Sequence, residues 1–168
     1  MDKKKQKESG DSIAGHELNI IFMIDNSGSM CGKKIGAVNR AIREFISTLP
    51  EFEEKMPNTE IKISVMAFND ETKWAYTEPK NVADFKWRNI STAGGSDFSA
   101  AYDELARYLC TKEKGGQMPE SEAPAPIIIL ITDGMPTSPD WKTRLAALKK
   151  KGWFTIQSWS EPKAMDTK

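Results

Sequence analysis

Leu18-Asn19-Ile20-Ile21-Phe22-Met23-Ile24 is an apolar run, the pattern of a parallel strand covered on both faces. A helix is predicted from about Lys33 to Leu49. Ile35, Val38, Ile42, Phe45, Ile46 and Leu49 recur there at three- and four-residue spacing and make one apolar stripe. Pro50 is expected to end it. From Glu60 to Phe68, Ile61, Ile63, Val65 and Ala67 alternate with other residues, which predicts a second strand. Asn69-Asp70 suits a tight hairpin into Glu71 to Thr77. Trp74 and Tyr76 alternate with polar residues in that segment, as in an antiparallel edge strand.

Asn81 to Ser91 shows no regular period. Gly94-Gly95-Ser96-Asp97 then opens a helix whose buried face is Phe98, Ala101, Tyr102, Leu105, Tyr108 and Leu109, with Ser96 or Asp97 as its cap. Lys112 to Pro126 is rich in Gly, Pro and Glu and reads as a surface loop. Ile127 to Ile131 is another uninterrupted apolar strand, followed by Thr132-Asp133-Gly134. A helix carrying Trp141, Leu145 and Leu148 should run to about Lys151, with Gly152 stopping it and one more strand over Phe154 to Trp159. Helices interleaved with apolar strands predict an α/β fold. We expect a three-layer, doubly wound, mainly parallel sheet with one antiparallel edge strand. Right-handed crossovers would put the loops after the first and fourth strands, and the start of the Ser96 helix, on one rim.

With 168 residues the chain suits one domain with a real core. We place a polar leader over 1–16, the folded domain over 17–159 and a tail over 160–168. Lys+Arg and Asp+Glu are both 24, so nothing points to nucleic acid or an anionic membrane as a partner. No apolar run is long enough to cross a bilayer, and the leader lacks a secretory pattern. Cys31 and Cys110 match neither a disulfide framework nor a zinc pattern, which fits two reduced thiols in a cytoplasmic protein. The tryptophans read as core or edge packing, and His16, the only histidine, as exposed and inert.

The chemistry is concentrated where the strands end. Asp25-Asn26-Ser27-Gly28-Ser29 puts one carboxylate and two hydroxyls on alternate positions straight after the first strand. Ser96 follows two glycines, and Asp133 sits between Thr132 and Gly134. In an open α/β sheet, ligands sit beyond the carboxyl ends of the strands. Hydroxyls with one or two carboxylates are the hard oxygen donors that Mg²⁺ accepts, and the ion usually keeps several waters. With so few carboxylates the ion would keep much of its positive charge and could take an outside carboxylate as its next ligand. The candidate metal ligands are therefore Asp25, Ser27, Ser29, Ser96 and Asp133, for Mg²⁺ or else Mn²⁺ or Ca²⁺. Each segment alone could be a turn or a helix cap; their order after matching strands and helices favours the metal site.

Asp25-Asn26-Ser27-Gly28-Ser29, Gly94-Gly95-Ser96-Asp97 and Ile131-Thr132-Asp133-Gly134 resemble the three loops of a von Willebrand factor type A (VWA) domain and its metal-ion-dependent adhesion site. Gly36-Ala37-Val38-Asn39, Phe98-Ser99-Ala100-Ala101 and Met135-Pro136-Thr137 extend the similarity to the small bacterial tellurite-resistance TerY type. The resemblance covers about Leu18 to Phe154. It implies that Ser27 and Ser29 bind the ion directly, that Asp25 reaches it mainly through water, and that Asp133 binds directly or from just behind the direct ligands. Ser96 stands where the family normally has threonine, so the site should be somewhat looser. The resemblance also implies a final strand and helix, which Thr155 onward does not continue in recognisable form. That departure suggests a C-terminal strand and helix missing or altered.

These observations point to a non-enzymatic module. The metal would take an Asp or Glu carboxylate from a partner protein, flanked by Met30, Cys31 and Met135. The TerY resemblance implies a cytoplasmic bacterial stress-response setting. A metal-assisted hydrolase or phosphotransfer enzyme is the rival from another class. Against it, no lysine or second aspartate lies two residues after Asp25, no phosphate-cradling loop is present, and no histidine is expected in the fold to act as base. A truncated, non-functional fragment is the third reading.

Overall fold

The computed structural model describes residues 15–119, 123–134, 136 and 138–150, and the backbone of 155–159. The central strand is β1 (His16–Asp25), parallel to β2 (Thr59–Phe68) on one side. On the outer edge of β2 lie two short antiparallel pieces, β3 (Thr72–Trp74) and β4 (Lys80–Asn81). On the other side of β1 run β5 (Ile127–Ile131) and then β6 (Thr155–Trp159), both parallel to it. Apart from β4, the order is β3-β2-β1-β5-β6. The mainly parallel sheet with an antiparallel edge is thus as the hydrophobic pattern implies.

Strand alternation sorts the core into two layers. Ile21, Met23, Met66, Phe68, Ile128 and Leu130 face α2 (Phe98–Tyr108) and α3 (Trp141–Lys150), against Phe98, Ala101, Tyr102, Leu105, Tyr108 and Leu148. Ile20, Phe22, Ile24, Ile61, Ile63 and Val65 face α1 (Lys33–Lys55), against Val38, Ile42, Ile46 and Leu49. The stripes read from the two segments match the buried faces of α1 and α2 except at Phe45, which is exposed, and Leu109, which lies just past α2 and is partly buried. On the α2 side the Ser64 and Tyr108 hydroxyls pair at 2.6 Å, which satisfies two polar groups that would otherwise be orphaned in the core. Trp74 stacks on Tyr108 with ring centroids 3.8 Å apart and donates its indole N–H to Glu104 at 2.7 Å.

Two expectations are corrected. Pro50 does not end α1, which runs on to Lys55. Proline removes one helical hydrogen bond, but the next turn is anchored elsewhere. Glu53 accepts a hydrogen bond from the Ile61 N–H at 2.5 Å, and the Met56 N–H closes the helix on the Glu53 carbonyl at 3.0 Å. The edge strand is short and broken. Phe68 pairs with Thr72, so three residues make the link, and the Asn69 carboxamide accepts from the Glu71 N–H at 2.9 Å. A second piece, Lys80–Asn81, then returns to the same edge. Thr155–Trp159 pairs with β5 along its whole length, as the strand expected over Phe154 to Trp159. Positions 1–14, Gly152 and 160–168 lie outside the described residues.

Phe98 is 1% exposed, with its ring 5.0 Å from Phe68 and 6.0 Å from Tyr102. Phe98→Ala should cost about 3–5 kcal/mol in a urea melt. Phe52→Ala, at a residue 56% exposed, should stay within about 0.5 kcal/mol of the parent.

Candidate metal centre

The register brings the carboxyl ends of three strands level. Asp25 pairs with Phe68 on β2, and Ile24 with Ile131 on β5. The chain segments leaving β1, β2 and β5 therefore emerge on one rim, and Asp25 stands at its centre, 1% exposed. One carboxylate oxygen accepts the Ser27 N–H at 2.9 Å. The other accepts the Thr132 hydroxyl at 2.8 Å and the Ser96 hydroxyl at 3.4 Å. A buried carboxylate needs such donors, since an unpaired charge at this depth would be expensive.

From Ser27 the contacts continue outward. The Ser27 and Ser29 hydroxyls lie 3.0 Å apart, and Ser29 donates to one oxygen of Asp133 at 2.8 Å. A hydroxyl has one proton, so Ser29 accepts from Ser27. The second Asp133 oxygen takes the Lys34 ammonium, which also donates to the Ser29 carbonyl at 3.2 Å. The five candidate side chains thus form two hydrogen-bonded groups, Ser96 with Asp25 and Ser27 through Ser29 to Asp133, linked by the Ser27 backbone N–H on Asp25.

The hydroxyls are not acting as helix caps. Ser27 precedes the 3-10 turn Gly28–Met30 and makes no side-chain cap. Gly32 precedes α1 and cannot make one. Capping at α2 falls to Asp97, which accepts the Ser99 and Ala100 N–H groups at 3.0 and 3.1 Å. This leaves Ser96 turned to Asp25.

Backbone contacts hold the loops in place. Gly28 N–H donates to Gly94 at 3.0 Å and Ala93 N–H to Asn26 at 2.9 Å. Buried Asn39 on α1 grips Ile90 by both its N–H and its carbonyl, at 2.8 and 2.9 Å. Gly94 has φ +65°, and a Cβ there would lie 2.3 Å from an Asp70 carboxylate oxygen. A Cβ on Gly95 would lie 2.6 Å from the other oxygen, and the Gly95 N–H donates to Asp70 at 2.8 Å. The two glycines are thus required by the β2–β3 turn packed against them, as much as by the site.

Sequence reasoning missed Thr132 as a partner of Asp25, Asp70 as the support of the glycines, and Lys34. Only Lys34 left a signal. A lysine in the first turn of a helix opposes the helix dipole, and α1 has no acidic residue in that turn to compensate. Met30 is buried beside the site, Cys31 is an exposed free thiol, and Met135 lies outside the described residues.

The donor set fits a small hard cation. Neighbouring ligand oxygens around octahedral Mg²⁺ are about 3.0 Å apart, given metal–oxygen distances of about 2.1 Å. The Ser27–Ser29 and Ser29–Asp133 oxygen pairs, at 3.0 and 2.8 Å, are hydrogen-bonded to one another, and an ion would have to replace those hydrogen bonds. Among the described residues no three His, Cys, Asp or Glu side chains cluster, so an ion at this rim would be held chiefly by hydroxyls.

The sequence model of the von Willebrand factor type A domain matches residues 20–135, which includes all three loops. The chain belongs to that family. VWA domains are protein-interaction modules, and this one has the family's fold. It is 30% identical over 134 residues to inter-alpha-trypsin inhibitor heavy chain H4 of Bos taurus, covering 76% of this chain. The Homo sapiens protein of that name is 29% identical over 125 residues, or 71% of the chain. The chain spans 14% and 12% of the length of these curated relatives. Among solved structures, a von Willebrand factor type A protein from Catenulispora acidiphila superposes with a TM-score of 0.57 at 17% identity, over 85% of this chain and 33% of that one. The ArnB paralog VWA2 from Sulfolobus acidocaldarius gives 0.55 at 18%, over 86% and 35%. Proximal thread matrix protein 1 of the mussel byssus, described with a zinc-occupied metal-ion-dependent adhesion site motif, gives 0.54 at 19%, also over 86% and 35%. At these identities the structures speak for the fold alone.

Two outcomes are expected at this VWA rim. Gly94→Ala should destabilise the domain by at least about 1 kcal/mol through its positive φ alone; Asp70→Ser in the same chain should restore part of the loss in denaturant melts, by relieving the clash. The second concerns Asp133. Partial burial pushes its carboxyl up, but hydrogen bonds from Lys34 and Ser29, with the Lys34 charge, outweigh this and hold it below the ordinary range. Its folded pKa is therefore lower than its unfolded one. The resulting stability is full above about pH 4 and is lost as pH falls through the folded value. The stability gap between the parent and Asp133→Asn should narrow below about pH 4 in metal-free melts.

Proposed function

We propose that this VWA domain is a non-enzymatic, metal-dependent interaction module. Ser27, Ser29 and Ser96, with Asp25 and Asp133, would hold Mg²⁺, with Mn²⁺ or Ca²⁺ as substitutes. The bound ion supplies a concentrated positive charge at the rim, and a partner protein supplies an Asp or Glu carboxylate to it. Asp25 orients the hydroxyls from beneath. Ser27 and Ser29 present their oxygens to the ion, and Asp133 closes the outer side. The observation that carries this reading is the convergence of five oxygen-bearing side chains from three separate segments, with hydroxyls that cap no helix. Most of the direct ligands would be neutral hydroxyls, so the ion would keep much of its positive charge, which favours an acidic ligand.

An enzymatic role has no comparable support. His16 lies at the opposite end of β1 from Asp25, roughly 30 Å away at about 3.3 Å per residue, and cannot serve as a base at the rim. No helix among the described residues is long and apolar enough to cross a membrane. The loop resemblance to the TerY type carries the further proposal of a cytoplasmic, bacterial stress-response setting of the tellurite-resistance kind.

Millimolar Mg²⁺ should raise the melting temperature of the parent chain. At one hundred times Kd the gain corresponds to about 2.7 kcal/mol. Ser27→Ala with Ser29→Ala should abolish the gain while leaving a cooperative melt. On an array of Asp- and Glu-containing peptides, binding should occur in Mg²⁺ and vanish in EDTA. Retention of peptide in EDTA, or an unchanged response in the double variant, overturns the proposal.

A further inference from the structure

We infer that Lys34 is the chain's own competitor for the divalent cation: its ammonium holds Asp133 and the Ser29 carbonyl when no metal is bound, and it must leave when the ion arrives. This rests on the metal-dependent reading above and adds a residue that sets the affinity of the site.

The contacts themselves make the case. Lys34 Nζ bonds to one carboxylate oxygen of Asp133 and lies 3.2 Å from the Ser29 carbonyl oxygen. The other Asp133 oxygen is already engaged by the Ser29 hydroxyl. The ammonium is therefore seated on two of the residues assigned to the ion. It also divides the work of neutralisation unevenly. Asp25 receives only neutral donors, from Ser27, Thr132 and Ser96, whereas Asp133 receives a full positive charge. A divalent ion drawn to Asp133 meets that charge first, and two cations on one carboxylate repel.

Helix position strengthens the argument. Lys34 is the second residue of α1, where the exposed backbone N–H groups favour an anion and disfavour a lysine. The contact with Asp133 offsets that penalty, and no other acidic side chain lies in the first turn. The side chain is also accessible to solvent. It is 44% exposed and reaches the site over the edge of a small cleft lined by Met30, Ala37 and Val38. Swinging it outward opens no hole in the core. A partly exposed ion pair is weak, so the competition is modest: it tunes the threshold for metal and does not block it.

The test measures Mn²⁺ affinity from the electron paramagnetic resonance signal of the free ion, and Mg²⁺ affinity by calorimetry. The proteins are the parent chain, Lys34→Met and Lys33→Met, the last altering an adjacent exposed lysine. Lys34→Met should bind both ions about three- to tenfold more tightly, and Lys33→Met should match the parent. Without metal, Lys34→Met should melt lower than the parent because Asp133 loses its counter-charge; saturating Mg²⁺ should close that gap. A merely structural lysine would lower stability under both conditions and would not raise affinity. Equal or weaker metal binding by Lys34→Met overturns the inference and leaves the metal reading standing. Failure of every protein, parent included, to bind either ion overturns both.

Discussion

The site depends on one buried carboxylate. Asp25 ends the central strand with its side chain enclosed, and a charge there must find donors or cost several kcal/mol. It finds them in the backbone of its own loop, in Thr132 after β5 and in Ser96 before α2. These three segments are far apart in sequence, and the carboxylate adds a common centre to the backbone contacts that already join the Asn26–Gly28 and Ala93–Gly94 stretches. The carboxylate acts as a hub whose satisfaction requires the loops to converge, and their convergence places the hydroxyls of Ser27, Ser29 and Ser96 around a common space.

That arrangement rests in turn on strand register. Because β1, β2 and β5 finish level, no loop has to climb to reach the rim. A slip of one residue in β1 would turn Asp25 to the α1 face and Ile24 to the other, moving a charge among Phe22, Val38 and Ile42. The alternation that builds the two apolar layers therefore also aims the carboxylate.

Much of this was legible in the chain because it is written in local patterns. The apolar runs of β1 and β5, the stripes of α1 and α2 and the Asp97 cap are each set by neighbours a few positions apart. So are the three oxygen-bearing clusters, whose order after matching elements pointed to one rim. What was not legible depends on distant partners. Proline rules alone would stop α1 at Pro50; the Glu53 contact with Ile61 carries it on. The broken edge of β3 and β4 reflects pairing with β2 and has no signature in period. Thr132 and Asp70 are ordinary loop residues until the fold sets them against Asp25 and the glycines. Of these only Lys34 left a mark, standing with Lys33 where the helix dipole makes a cation unwelcome.

The fit between Asp70 and the glycine pair has an evolutionary corollary. A carboxylate lies within 2.3–2.6 Å of where side chains at 94 and 95 would begin, so these positions are not free to drift separately. A descendant that enlarged residue 94 or 95 would have to shorten residue 70 in step, and one that lost Asp70 would leave the Gly95 N–H without its acceptor. The hairpin turn at the sheet edge and the loop at the rim should therefore vary as a single inherited unit, although 23 residues lie between Asp70 and Gly94.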